Sequence, residues 1–220
     1  MHYRSSNKFV SRAAGALFAL MCAAIASLAW AGAQVEEQLS ASVQTSLQAA
    51  ISDRAAPRMV FNSESEGNAW ILEMSARLAK KIPDSTTRTE FLRTVHYEAS
   101  RAGLDPQLVL GLIQVESNFR KYAVSSAGAR GFMQVMPFWV KMIGTPDQNL
   151  FHLRTNLRYG CTIFRHYLAL EHGDYYRALG RYNGSLGKPE YPNLVLAGWH
   201  GSWKYDRPRL AAVYPGNPEK

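Results

Sequence analysis

The sequence predicts a mainly α-helical domain with a small irregular or β portion near residues 120–132. Three observations predict it. From Asn68 onward, apolar residues recur at helical spacing in one segment after another. Pro, Gly and Asp residues punctuate those segments where helices start and stop. No strong run of alternating apolar and polar residues suggests a sheet. The chain has 220 residues, 47% of them hydrophobic, which is enough for one compact domain with its own core. Its many Trp, Tyr, Phe and branched aliphatic residues exclude disorder throughout.

Residues 1–33 read as an export signal. His2, Tyr3, Arg4, Lys8 and Arg12 make a basic start, and "AAGALFALMCAAIASLAWAGA" follows without a charge. It ends in Ala31-Gly32-Ala33, a small-residue cleavage site that leaves Gln34 as the first mature residue. An uncleaved membrane anchor is the alternative. Either way the remainder is exported, with the periplasm as the expected compartment. Cys22 falls inside the apolar run, and "ALMC" lacks the small residues that usually precede a lipidated cysteine. Cys161 is then alone, so no intramolecular disulfide forms, and it is expected as a buried small hydrophobe.

Residues 34–65 read as a polar N-terminal linker, with a short amphipathic segment near Val35–Ile51. Residues 66–200 form the expected domain, and 201–220 a C-terminal tail. Within the domain, "AWILEMSARLAKKI" runs to Pro83. Thr87-x-x-Glu90 is a candidate capping box opening a helix that Gly103 ends. Asp105-Pro106 supplies an N-cap and a first-turn proline for the next helix. After a Gly- and Ser-containing stretch come "MPFWVKMIG", the long "NLRYGCTIFRHYLALEHG", and a helix from Asp174 through Tyr182. "NGSLGKPEYP" reads as a loop and "NLVLAGWHGSW" as a last short helix.

The formal charge is +8, from 25 Lys and Arg against 17 Asp and Glu. Such a balance suits nucleic acid, a membrane surface or an anionic cell-wall polymer. The basic residues are spread out, however, and no nucleic-acid recognition motif accompanies them. The histidines show no HExxH or other zinc-site spacing, so no metal and no cofactor is expected.

The segment "GLDPQLVLGLIQVESNF" contains an anomaly. At roughly 100° per residue, Gln107, Gly111, Gln114 and Asn118 share one stripe. Glu116 lies opposite, beside Leu112 and Ile113 and a turn beyond Val109. Desolvation there raises a carboxyl pKa, and the negative end of the helix dipole acts in the same direction. Both keep a proton available for general-acid chemistry near neutral pH. The bland alternative is an ion pair with Arg120 or Arg130. "SSAGARGFMQVMP" then sets a Gly-containing loop beside the glutamate, followed by Gln134 and Met136, and "RYNGS" brings Tyr182 and Asn183 to a helix end. Taken singly, each reads more readily as an ordinary turn or core packing.

The ordered set Glu116-Ser117, Ser125-x-x-Gly128-Ala129, Gly131-Phe132-Met133-Gln134-Val135-Met136-Pro137 and Tyr182-Asn183 resembles the soluble lytic transglycosylase (SLT) domain family. So does "NLRYGCTIFRHYL" between them, and the resemblance covers roughly residues 90–200. It implies a lysozyme-like, mostly helical α+β fold and cleavage of peptidoglycan glycan strands, with Glu116 as catalytic acid/base. It further implies that Ser117 supports the glutamate, that Ser125, Gln134, Met136 and Tyr182 line the cleft, and that Asn183 holds the Tyr-Asn turn. Phe132 stands where the family usually has Leu, and Arg181-Tyr182-Asn183-Gly184-Ser185 where it tends to have Ala-Tyr-Asn-Ala-Gly. Two other functions compete: a hydrolytic muramidase resembling goose-type lysozyme, and a non-catalytic peptidoglycan-binding protein of an envelope assembly or secretion machine.

Overall fold

The computed structural model describes residues 34–52, 61 and 63–206. The expected signal, residues 1–33, lies outside them, as does most of the expected tail. The described chain forms eight α-helices: α1 (Ala41–Ser52), α2 (Glu64–Leu78), α3 (Ser85–Arg101), α4 (Pro106–Ser117), α5 (Phe138–Ile143), α6 (Leu153–Leu170), α7 (Tyr175–Asn183) and α8 (Glu190–Ala197). A π-helical turn, Gly198–Ser202, continues α8. The only extended pairing among the described residues is two antiparallel bridges, Val124 with Arg130 and Arg130 with Val135. The fold is thus mainly helical, with its irregular β portion in the stretch following α4. No helix of the described residues is long and apolar enough to cross a membrane.

Local chemistry sets the helix ends. Asp105 accepts from the Gln107 N–H at 2.7 Å, Pro106 occupies the first turn of α4, and Asn118 closes it in the left-handed region at φ 49°. Asp174 caps α7 by accepting from Arg177 N–H at 3.0 Å, and Gly184 at φ 73° ends it. Three boundaries differ from expectation. α2 starts at Glu64 rather than Asn68, because Ser63 caps it. α3 starts at Ser85, because Asp84 accepts from Thr87 N–H at 2.7 Å before Thr87 can act as a cap. α8 starts at Glu190, inside the stretch expected as a loop. Pro189 and Pro192 do not oppose this, since first-turn N–H groups have no intrahelical partner to lose.

α4 is the axis of the domain and packs against α3, α8 and the π-helical turn. The polar stripe of α4 is covered in part by tryptophans. Gln107 accepts from Trp70 Nε1 at 3.3 Å, and Gln114 from Trp203 Nε1 at 2.6 Å. A Cβ at Gly111 would sit 3.1 Å from both the Trp199 nitrogen and the Val195 carbonyl, so glycine permits this close crossing. Sequence spacing identified which residues share a face; tryptophan N–H groups meet Gln107 and Gln114 there.

α6 packs on α3 and α7, and α1 on α5 and α6. The segment read as a linker therefore contributes a helix that buries Leu47 and Ile51. The buried Glu98 carboxylate joins α3 to α6, accepting from Arg158 at 3.0 and 2.9 Å and from Arg101 at 3.1 Å. Removing one member of such a buried pair leaves an uncompensated charge. Cys161 is a free, buried thiol, and burial pushes its pKa up.

Candidate active site

Glu116 occupies the last turn of α4 and is 4% exposed. Tyr191, from the start of α8, donates its hydroxyl to Glu116 Oε1 at 2.5 Å. The other carboxyl oxygen, Oε2, is buried without a hydrogen-bond partner. Neither arginine of the bland alternative pairs with the glutamate. Arg120 donates from Nε to the Ser117 carbonyl at 3.1 Å, and Arg130 lies over the Phe151 ring. Burial is the main cause that raises the Glu116 pKa from 4.5 to about 8, and the Tyr191 hydrogen bond pulls the other way. The carboxyl is therefore protonated at neutral pH. Burial also holds the Tyr191 and Tyr182 phenols well above their ordinary value, with the nearby Glu116 charge adding to it.

The loop that follows α4 is fixed by hydrogen bonds to its backbone. Gln134, itself buried and at φ 47°, donates from Nε2 to the carbonyls of Gly131 at 2.9 Å and Ala123 at 3.1 Å. Asn156 of α6 accepts from Met133 N–H at 2.8 Å and donates to the Arg130 carbonyl at 2.8 Å and the Leu150 carbonyl at 2.9 Å. Gly131, at φ 76°, has no room for a side chain, since a Cβ would meet Asn156 Nδ2 at 2.4 Å. Tyr182 reaches across from α7 and donates its hydroxyl to the Met133 carbonyl at 2.8 Å. Two helices, α6 and α7, thus converge on residues 130–134.

The remaining expected site residues have defined places. Ser117 Oγ donates to the Ile113 carbonyl at 3.2 Å within α4. Ser125 Oγ accepts from Ala129 N–H at 3.1 Å and shapes the loop tip. Met136 is half-buried beyond Gln134, and Asn183 is buried at the end of α7. Two contributors were missed. Tyr191 lay in a stretch read as loop; its signal was an aromatic residue with a polar tip held between two prolines. Gln34 was read only as the residue after a cleavage site. It is 5% exposed, and its Oε1 accepts from Trp139 Nε1 at 3.0 Å and from Met136 N–H at 3.4 Å.

A cavity of about 720 Å³ lies elsewhere, lined by Gln48, Gly144, Arg154 and Tyr159 among others; Glu116 does not line it. The surroundings of the carboxyl group, not cavity size, mark the site. Among the described residues, no cluster of three or more His, Cys, Asp or Glu is placed to hold a metal ion. The arrangement can deliver a proton from a desolvated acid and take one back.

Residues 93–191 match the transglycosylase SLT domain. The chain is 32% identical over 117 residues to membrane-bound lytic murein transglycosylase C of Haemophilus ducreyi, covering 44% of this chain and 31% of that protein. It is 30% identical over 114 residues to the transglycosylase of Enterobacteria phage PRD1, covering 49% of this chain and 42% of that protein. Over a shorter stretch of 48 residues it is 50% identical to membrane-bound lytic murein transglycosylase C of Actinobacillus pleuropneumoniae, covering 22% of this chain and 13% of that protein. The chain therefore spans less than half the length of these relatives. The matched stretch, which is similar to the transglycosylase SLT domain, contains Glu116, the loop that Gln134 and Asn156 hold, Tyr182 and Tyr191.

Proposed function

We propose that this chain is an exported peptidoglycan lytic transglycosylase that cleaves the β-1,4 bond between N-acetylmuramic acid and N-acetylglucosamine, with Glu116 as its single acid/base. The observation that carries this reading is the buried Glu116 carboxyl, with its pKa raised to about 8 and one neutral partner. No charged group contributes to that shift. Glycosidases that work with two carboxylates place the second one close to the first. Here the partner is a phenol.

In the first step, protonated Glu116 gives its proton to the scissile oxygen as the C1–O bond breaks and positive charge grows on the muramoyl ring. In the second, the Glu116 carboxylate takes the proton from that sugar's own C6 hydroxyl, whose oxygen closes on C1. The product is a 1,6-anhydro end, no water is consumed, and Glu116 is protonated again. Tyr191 steadies the carboxylate between the steps, because a hydrogen bond to the charged form favours that form. The C6 hydroxyl must outcompete solvent, which is a matter of proximity. In this reading Met136 and Ser125 line the sugar-binding wall. Ser117, Gln134, Tyr182 and Asn183 hold that wall and the glutamate in place. The relatives' names support the substrate class, and the amino-terminal signal pattern supports export.

Mass spectrometry of sacculi digested by the protein tests the reading. Muropeptides lighter by one water than hydrolytic products, absent with Glu116→Gln, are expected. Products of full hydrolytic mass would instead assign a hydrolytic muramidase on the same fold.

A further inference from the structure

We propose that the segment preceding α1 blocks the site against its own substrate, with the Gln34 carboxamide held where the protein takes an acetamido group of the glycan. The inference rests on the reading above for the identity of the ligand. Gln34 is 5% exposed, whereas residues 35–38 are exposed and non-helical. A polar side chain buried at the end of such a strand needs partners that hold it. Its Oε1 has two: Trp139 Nε1–H and the backbone N–H of Met136. Both follow the Gln134 turn that forms the wall of the site. A primary carboxamide and an acetamido group carry the same planar carbonyl acceptor, so these donors serve either.

Two further observations point the same way. The Gln34 side chain hydrogen-bonds Tyr182, and Tyr182 in turn lies within the influence of the Glu116 charge. Glu116 itself is almost fully covered, so a sugar oxygen reaches Oε2 only after a neighbour withdraws. The segment bearing Gln34 is the neighbour proposed to withdraw. Among the described residues, its other ties include the partly exposed Glu37–Arg181 pair at 3.3 Å and half-buried Leu39. α1 is held firmly by Leu47, Ile51 and the 2.7 Å bond from Gln44 to the Met142 carbonyl. The strand can therefore swing at Ser40 while α1 stays docked. A glycan competes with Gln34 for Met136 N–H and Trp139 Nε1–H, and apparent affinity falls by the fraction of molecules in which the site is open.

The test uses the full chain and tri-N-acetylglucosamine as probe, with binding measured by calorimetry, sacculus solubilisation by turbidity, and folding by thermal midpoint. Gln34→Ala should tighten binding and raise kcat/KM by about tenfold without raising the midpoint, as removal of an internal competitor requires. Glu37→Gln, which weakens the strand without touching the donors, should shift both in the same direction by about twofold. Glu36→Gln, on the exposed strand, should change neither. If Gln34→Ala binds and cleaves no better than the unmodified protein while that protein solubilises sacculi, the self-blocking proposal fails and the lytic reading stands. If the unmodified protein leaves sacculi intact, the lytic reading fails, and binding alone decides this proposal. Equal affinity in the two proteins, or no affinity in either, overturns it. Should Gln34→Ala fold poorly, an unchanged Glu37→Gln overturns it as well.

Discussion

Replacing Glu116 by Gln should stabilise the protein by an amount that grows with pH. Burial raises the carboxyl from 4.5 to about 8. Between those values the folded state holds a proton that the unfolded state has released, so stability is full below about 4.5 and is lost as pH rises toward 8. At pH 7 the loss spans about two and a half pH units, or roughly 3 kcal/mol at about 1.4 kcal/mol per unit. Glutamine escapes it. Tyr191 can donate to the amide oxygen as it does to Oε1, and the second terminal atom lacks a partner in either form, so those contributions cancel. For a domain of this size, roughly 3 kcal/mol corresponds to about 6–12 °C in thermal midpoint. Calorimetry of both proteins from pH 4.5 to 9 is the assay. The gap should be near zero at the acid end, widen through neutrality and level off above 8, while the variant no longer solubilises sacculi. A gap independent of pH, or a variant less stable at pH 8, would refute the reasoning.

Three other outcomes are expected. Tyr191→Phe removes the one influence that lowers the Glu116 pKa, so the alkaline limb of kcat/KM should move to higher pH as kcat falls; an unmoved limb separates the phenol from the acid. Gly131→Ala drives a Cβ to 2.4 Å from Asn156 Nδ2 and 2.6 Å from the Leu150 carbonyl at a positive φ, and should cost about 2–4 kcal/mol in chemical denaturation; a change within about 0.5 kcal/mol would contradict this packing. His96, packed against Phe61 and Trp70, has its pKa lowered by burial from 6.5 to about 4. Its contribution has the opposite sign to that of Glu116: stability should fall as pH drops from 6.5 toward 4, and His96→Gln should flatten that slope in acid unfolding curves.

How much of this was legible in the sequence depends on whether a feature is local. Glu116 was legible because helical spacing alone places it among Leu112, Ile113 and Val109, and those residues are buried around it. The caps at Asp105 and Asp174 were legible for the same reason. What covers the stripe Gln107–Gly111–Gln114 was not legible, because spacing says which residues share a face, not what lies over it; Trp70, Trp199 and Trp203 come from distant segments. Tyr191 contacts Glu116 from 75 residues away, on a helix whose start two prolines disguised. The left-handed turn at Gln134 was also hidden, since a non-glycine residue there gives no warning of a positive φ. Gln34 stood where the pattern suggested only the end of a leader.

The central claim is that Glu116 holds its proton at neutral pH because its surroundings exclude water. The most direct measurement is the ¹³C NMR titration of its side-chain carboxyl, assigned by difference against Glu116→Gln. A midpoint near 8 is expected. A midpoint in the range of ordinary exposed glutamates, about 4.3, would contradict the account.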